Sequence, residues 1–228
     1  MGAEFTRQTD VRFEVIETRG GMVIGVRRPA PAHQLYWRIT QWVMPAFTMI
    51  APRGNHAVHG HFWIPIDDEN CWAWSYDYHP VRELTPAELD AMRDGKGIHV
   101  RYVPGTFRPL ANRDNDYLID RAAQKAGRTF SGVEGIAMQD ASLQESMGPI
   151  VDRTKENLVS TDNGIIMARH RLLRAVKAFT DKGVVPPGVD PAHQKVRSAA
   201  IVLPPDVPFT EGARDALIAR PAVAPASV

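Results

Sequence analysis

One carboxylate in this chain stands where chemistry is expected. The segment Gly135-Ile-Ala-Met-Gln-Asp-Ala-Ser-Leu-Gln-Glu-Ser-Met-Gly148, followed by Pro149, reads as a helix of about three turns, stopped where proline cannot continue the ladder. On a helical period Ile136, Asp140, Leu143 and Met147 fall on one stripe. A carboxylate buried in such a stripe must be paired or must bind a metal, because an isolated charge is costly to remove from water. Pattern alone favours a salt bridge or a helix cap over a metal ligand. A second group is Asn55-His-Ala-Val-His-Gly-His61, in which His56 and His61 have His-x4-His spacing. His59 and His61 stand at strand spacing, on one face beside Trp63. That pair could hold a metal, but a sheet histidine satisfied by hydrogen bonds is the commoner case.

The elements that must position these groups are strands first and helices afterwards. Val11-Arg-Phe-Glu-Val15 alternates, Arg19-Gly-Gly21 turns, and Met22 to Val26 returns, which is a hairpin pattern. Gln34 to Val43 is aromatic and β-branched and ends before Pro45, with a further strand over Phe47 to Ile50. His56 to Ile66 and Cys71 to Tyr78 flank the turn Asp67-Asp-Glu-Asn70, a second hairpin. The row Trp72, Trp74, Tyr76 and Tyr78 is expected to pack beneath helices as core, with a pocket wall as the rarer alternative.

Thr85-Pro-Ala-Glu88 is a capping box with proline at the first helical position, and Gly95 closes that helix. Asn115 or Asp116 is expected to cap a helix running to about Lys125, ended by Gly127. Ser160 or Thr161 should cap a long helix to about Lys182, stopped by Gly183. Its expected apolar stripe is Ile165, Leu172, Val176 and Phe179, with Ile166 and Leu173 beside it. Arg169, Arg171, Arg174 and Lys177 form the other side, read as a solvated face rather than a nucleic-acid surface. From Val184 the chain is proline-rich, and Pro221 to Val228 is expected to be disordered. This order of elements indicates an α+β fold, an antiparallel sheet with helices on one face.

With 228 residues and a net charge of +1, the chain can bury a sizeable core and shows no electrostatic case for a nucleic-acid or anionic-membrane partner. Its apolar runs fall far short of a membrane span, and its first residues lack the apolar core of a signal peptide. A single cysteine, Cys71, excludes an internal disulfide and suits the cytoplasm.

Several words resemble, in order, the C-terminal part of the catalytic domain of Rieske non-haem iron oxygenases, most closely the phthalate 4,5-dioxygenase-like oxygenase subunits. They are Tyr36-Trp-Arg-Ile-Thr-Gln41, Trp63-Ile-Pro-Ile-Asp-Asp-Glu69, Asn115-Asp-Tyr-Leu-Ile-Asp-Arg121, Gly135-Ile-Ala-Met-Gln-Asp140, Glu145-Ser-Met-Gly-Pro-Ile150 and Asp152-Arg-Thr-Lys-Glu156. The resemblance covers roughly residues 11 to 180 and implies a helix-grip fold, in which a long helix lies across a curved antiparallel sheet. It divides the chain into residues 1–183, part of the catalytic domain, and a proline-rich extension over residues 184–228. It assigns Asp140 the carboxylate of a two-His, one-carboxylate Fe(II) site, a set that leaves iron positions open for oxygen and substrate. Gln139 and Asn115 become candidates for supporting that ligand from behind, although helix surface and capping are their plainer readings.

In the family the two histidines come from an upstream Asp-x-x-His-x-x-x-x-His element. His56 and His61 do not reproduce it, because Arg53 stands where the Asp would be and the pair follows the Trp37-Arg-Ile-Thr-Gln word. A [2Fe-2S] Rieske cluster needs two Cys and two His, which one cysteine cannot supply. The expectation is therefore a catalytic-domain fragment, inactive alone and poorly soluble, of an oxygenase of aromatic acids or aryl ethers. Such an oxygenase uses O2, is fed electrons by a reductase, and assembles as a homotrimer. The rival reading is a non-catalytic helix-grip module that encloses a small apolar ligand.

Overall fold

The computed structural model describes residues 10–219, so the expected disorder of Pro221 to Val228 lies outside the described residues. Within them the chain divides into two compact units. A sheet unit holds residues 10–64, 76–82 and 156–219, and a helical unit holds 65–75 and 83–155.

The sheet unit contains β1 (Arg12–Glu17), β2 (Gly21–Ala30), β3 (Gln34–Val43), β4 (Phe47–Ile50), most of β5 (Val58–Pro65), the end of β6 (Cys71–Tyr78), and β7 (Ala199–Leu203). The strand order is β1-β2-β3-β4-β5-β6, and β7 pairs with β3. The resolved pairings are antiparallel. β3 is the centre: β2 runs along its whole length, while β7 takes Leu35–Ile39 and β4 takes Gln41–Val43 on its other side. The first hairpin and the β3 and β4 boundaries match the alternation and turn signals. The proline-rich stretch after Gly183 is not peripheral, because it supplies β7 and the short helix α5 (Phe209–Gly212) to this unit.

Alternation sorts β2 and β3 into two faces. One face buries Val23, Trp37 and Ile39 with Leu203, Phe209 and Ala213 from the C-terminal stretch. The other buries Met22, Trp42 and Met44 under α4 (Asn163–Lys182), which packs Met167, Ala168, Leu172 and Ala175 against them. A long helix thus lies on an antiparallel sheet, and the fold is α+β.

The phase of α4 differs from the expected stripe. Ile165, Leu173, Val176 and Phe179 are exposed. The buried face instead follows Gly164, Met167, Ala168, Arg171, Leu172 and Ala175, where small residues let the helix approach the sheet. A β-carbon on Gly164 would stand 3.3 Å from Ile24 Cδ1. Arg171, expected on the solvated face, is buried, and its guanidinium donates to the carbonyls of Thr18, Arg19 and Gly21 at the β1–β2 turn and pairs with Glu17. The start of α4 also differs: Ser160–Asp162 is a 3-10 turn, and no side chain caps the helix.

The helical unit contains α1 (Pro86–Arg93), α2 (Arg121–Lys125) and α3 (Ile136–Ser146). The capping box forms as read: Thr85 Oγ1 accepts from Glu88 N, and Glu88 Oε2 accepts from Thr85 N. Asp67 Oδ1 collects the amides of Glu69 and Asn70 at 2.8 and 2.7 Å, which closes the β5–β6 turn and lowers its carboxyl pKa. Trp72 and Trp74 are exposed rather than buried beneath a helix, and Trp72 meets Phe107 edge-on, centroids 5.0 Å apart. In the sheet unit Tyr76 and Tyr78 are half-buried and donate to Thr48 O and Met49 Sδ.

Candidate functional site around Asp140

The helix that carries Asp140 is fixed by its other face. Gly135 enters α3 at φ +80°, a conformation that glycine adopts without side-chain strain. Ala137 N then donates to Gly97 O at 3.1 Å. Met138 is buried with Tyr117 and Val133, and Ala141 packs on the same cluster. One turn further, Glu145 Oε2 accepts from the Tyr117 hydroxyl at 2.5 Å. Met138, Ala141 and Glu145 follow the three-, four- and seven-residue spacing of one helix face.

Asp140 therefore faces away from that core. It is exposed, and its carboxylate has no hydrogen-bond or ion-pair partner among the described residues. Ile136, Leu143 and Met147 share its face and are 55%, 68% and 56% exposed. The stripe read from the sequence exists, but this chain does not bury it, so the argument that Asp140 must be paired loses its premise. What remains is a lone carboxylate amid apolar side chains on an outward face, an arrangement more typical of an interaction or binding surface than of a solvated helix.

The supporting candidates fare differently. Gln139 is half-buried beside Asp140, and its carbonyl accepts from Ser142 Oγ at 2.8 Å. The amide of Asn115 is spent on the backbone: Oδ1 accepts from Asn112 N at 2.9 Å, and Nδ2 donates to Leu110 O at 2.7 Å. Neither Asn115 nor Asp116 starts the next helix. Asp116, Tyr117 and Leu118 instead take φ of +48°, +55° and +53°, and α2 begins after Asp120, whose Oδ1 accepts from Ala123 N. Each left-handed non-glycine residue costs about 1–2 kcal/mol. Three in succession persist because the Asn112 capping box, the buried Tyr117 ring and its bond to Glu145 hold them together.

Burial first, and the bond to Glu145 second, push the Tyr117 phenol up from 10.0 to about 12. The folded protein thus keeps this proton where the unfolded chain loses it. Its contribution to stability is complete below pH 10 and is lost as the pH rises from about 10 to 12. In Tyr117→Phe that alkaline step should shrink, and the lost bond should cost about 1.5 kcal/mol at pH 7. Urea unfolding at pH 7 and pH 11.5 checks both, and equal losses in the variant and the parent between the two pH values would refute the assignment.

In the sheet unit, His59 Nδ1 bonds Asp77 Oδ1, so His59 is a sheet histidine satisfied by a hydrogen bond. His61 lies against Trp63, centroids 4.9 Å apart, and His56 is exposed. Among the described residues no three His, Cys, Asp or Glu side chains come together as a metal cage. The described residues therefore do not by themselves build an iron centre.

The residue-level reading missed one basic group altogether. Arg38 on β3 is half-buried, its Nη2 donates to Ala51 O at 2.9 Å, and its Nε is buried with no partner. Burial, then Arg53 and Arg28, lower its pKa, while Tyr36 acts in the opposite direction. A desolvated guanidinium among like charges favours an anion. The signal was present as Arg28, Tyr36 and Arg38 at even spacing on paired strands, which puts them on one sheet face.

An α+β chain with a long helix on an antiparallel sheet is the fold that the oxygenase words imply. Over residues 6–209 it matches the family described as LigXa C-terminal domain like, and it belongs to that family. It is 34% identical over 203 residues to the 3-chlorobenzoate-3,4-dioxygenase oxygenase subunit of Comamonas testosteroni, a match covering 84% of this chain and 47% of that subunit. It is 33% identical over 176 residues to the phthalate 4,5-dioxygenase oxygenase subunit of Pseudomonas putida, covering 74% of this chain and 38% of that subunit. The chain thus spans about half, or less, of the length of these curated relatives.

Proposed function

We propose that this chain provides the carboxylate-bearing, C-terminal part of the catalytic domain of an aromatic-ring oxygenase. The observation that carries the reading is Asp140, at the end of the Gly-Ile-Ala-Met-Gln-Asp word, presented outward and unpaired in a chain similar to two named oxygenase subunits. In that role Asp140 is the one protein ligand that this chain gives to a mononuclear Fe(II), the two histidines coming from outside the described residues. The iron would supply the activation of O2, with electrons reaching it from a reductase through a [2Fe-2S] Rieske cluster in a trimeric assembly. The substrates are aromatic acids or aryl ethers. In this reading the chain works in the cytoplasm. Among the described residues no helix is long and apolar enough to cross a membrane.

Asp140→Asn tests the reading in the assembled oxygenase. An amide oxygen is a much weaker ligand for Fe(II) than a carboxylate. Iron per folded protein and turnover should both collapse. Because Asp140 is exposed and unpaired, stability should move by no more than about 0.5 kcal/mol. Full iron content in the variant, or loss of iron only in step with unfolding, would overturn the role.

A further inference from the structure

The helical unit holds a partly open cavity of about 410 Å3 that the role given to Asp140 leaves unused. Its floor is apolar, with Leu110, Ala111, Tyr117, Val133 and Met138, and the last three of these are core residues. Its wall includes the left-handed turn at Tyr117 and Leu118. Met138 lies on the inner face of α3 and Asp140 on the outer, so the cavity is separate from the face that presents Asp140. The volume lies in the range of small-molecule sites, which join an apolar body to a few polar groups that fix orientation.

The polar lining decides what charge an occupant carries. Three carboxylates, Asp94, Asp120 and Glu134, border the cavity against one guanidinium, Arg101. Asp94 is paired with Lys96 at 3.2 Å, and Asp120 is committed to capping α2. Glu134 has no side-chain partner among the described residues and is the carboxylate left to meet a ligand. We propose that this cavity is a second binding site, for a small molecule with an apolar ring and one protonated amine. The ring rests on Tyr117, Val133 and Met138, and the ammonium group meets Glu134. The apolar lining makes the site, and Glu134, the carboxylate left uncommitted, selects a cation over an anion.

Calorimetric titration of the full chain with benzylamine, benzoate and toluene at pH 7 tests this. Benzylamine should bind one to one, and benzoate at least about tenfold more weakly, a difference of about 1.4 kcal/mol. Glu134→Gln, at an exposed position, should weaken benzylamine about fivefold or more and leave toluene unchanged. Ala111→Leu, which fills the floor, should weaken both. The methyl resonances of Met138 and Val133 should shift with benzylamine in the parent chain. No benzylamine binding, benzoate binding as tight, an unaffected Glu134→Gln, or shifts that avoid Met138 and Val133 would each overturn the site. None of these readouts involves iron or turnover, so the result is independent of the oxygenase reading.

Discussion

Replacing Arg171 with alanine should cost about 3–5 kcal/mol of folding stability, read as a lower urea midpoint with an unchanged slope. Arg171 is 8% exposed, and its guanidinium serves the carbonyls of Thr18, Arg19 and Gly21 together with Glu17. These groups form the β1–β2 turn, and α4 closes over it, so water does not readily replace the lost donors. Each buried carbonyl left unsatisfied costs about 1–3 kcal/mol. Arg171→Lys should recover only part of the loss, because one ammonium cannot span carbonyls that a planar fork reaches at once. An alanine variant within about 1 kcal/mol of the parent would show that the turn finds other partners.

Phe209→Ala should cost a similar amount, about 3–5 kcal/mol, through a cavity opened in the other sheet face. Phe209 is 1% exposed and packs on Trp37, ring centroids 4.9 Å apart. A β-carbon on Gly25 would lie 2.9 Å from its ring, so the sheet is cut to its shape. Trp37→Ala and Phe209→Ala empty the same space, and the double variant should lose less than the sum of the two. Additive losses would mean that the two rings stabilise the sheet independently. A near-neutral Phe209→Ala would place α5 outside the cooperative core.

Strands and turns were legible because their signals are local. The aromatic and β-branched run of Gln34–Val43, the proline after it and the Thr85–Glu88 box act within a few residues, and the structure follows them. What was not legible depends on partners distant in sequence. Arg171 reads as surface until the carbonyls of the β1–β2 turn, some 150 residues earlier, are placed beside it. The stripe of α4 was drawn on the largest apolar residues, whereas close approach to a sheet selects small ones, Gly164, Ala168 and Ala175. The helix expected from Asn115 was displaced by a run of left-handed residues, which no propensity favours and which packing of Tyr117 sustains. Asp140 was legible as a residue to watch through resemblance, but not in its orientation. The outer stripe looked like core because its spacing is helical, and periodicity cannot tell which of two half-apolar faces is covered.

The place of β3 also governs how this chain can be made. Its Leu35–Ile39 edge pairs with Leu203–Ala199, while synthesis runs through the whole helical unit between the two strands. A nascent chain therefore carries β3 through synthesis of the whole helical unit with one side of that segment bare, and it waits also for Phe209 to fill the core above Trp37. Long-range pairing of this kind is slow to close, and an unpaired edge invites pairing with another chain. The sheet unit is thus a late folder on the ribosome, whose most vulnerable interval ends only after β7 and Phe209 emerge.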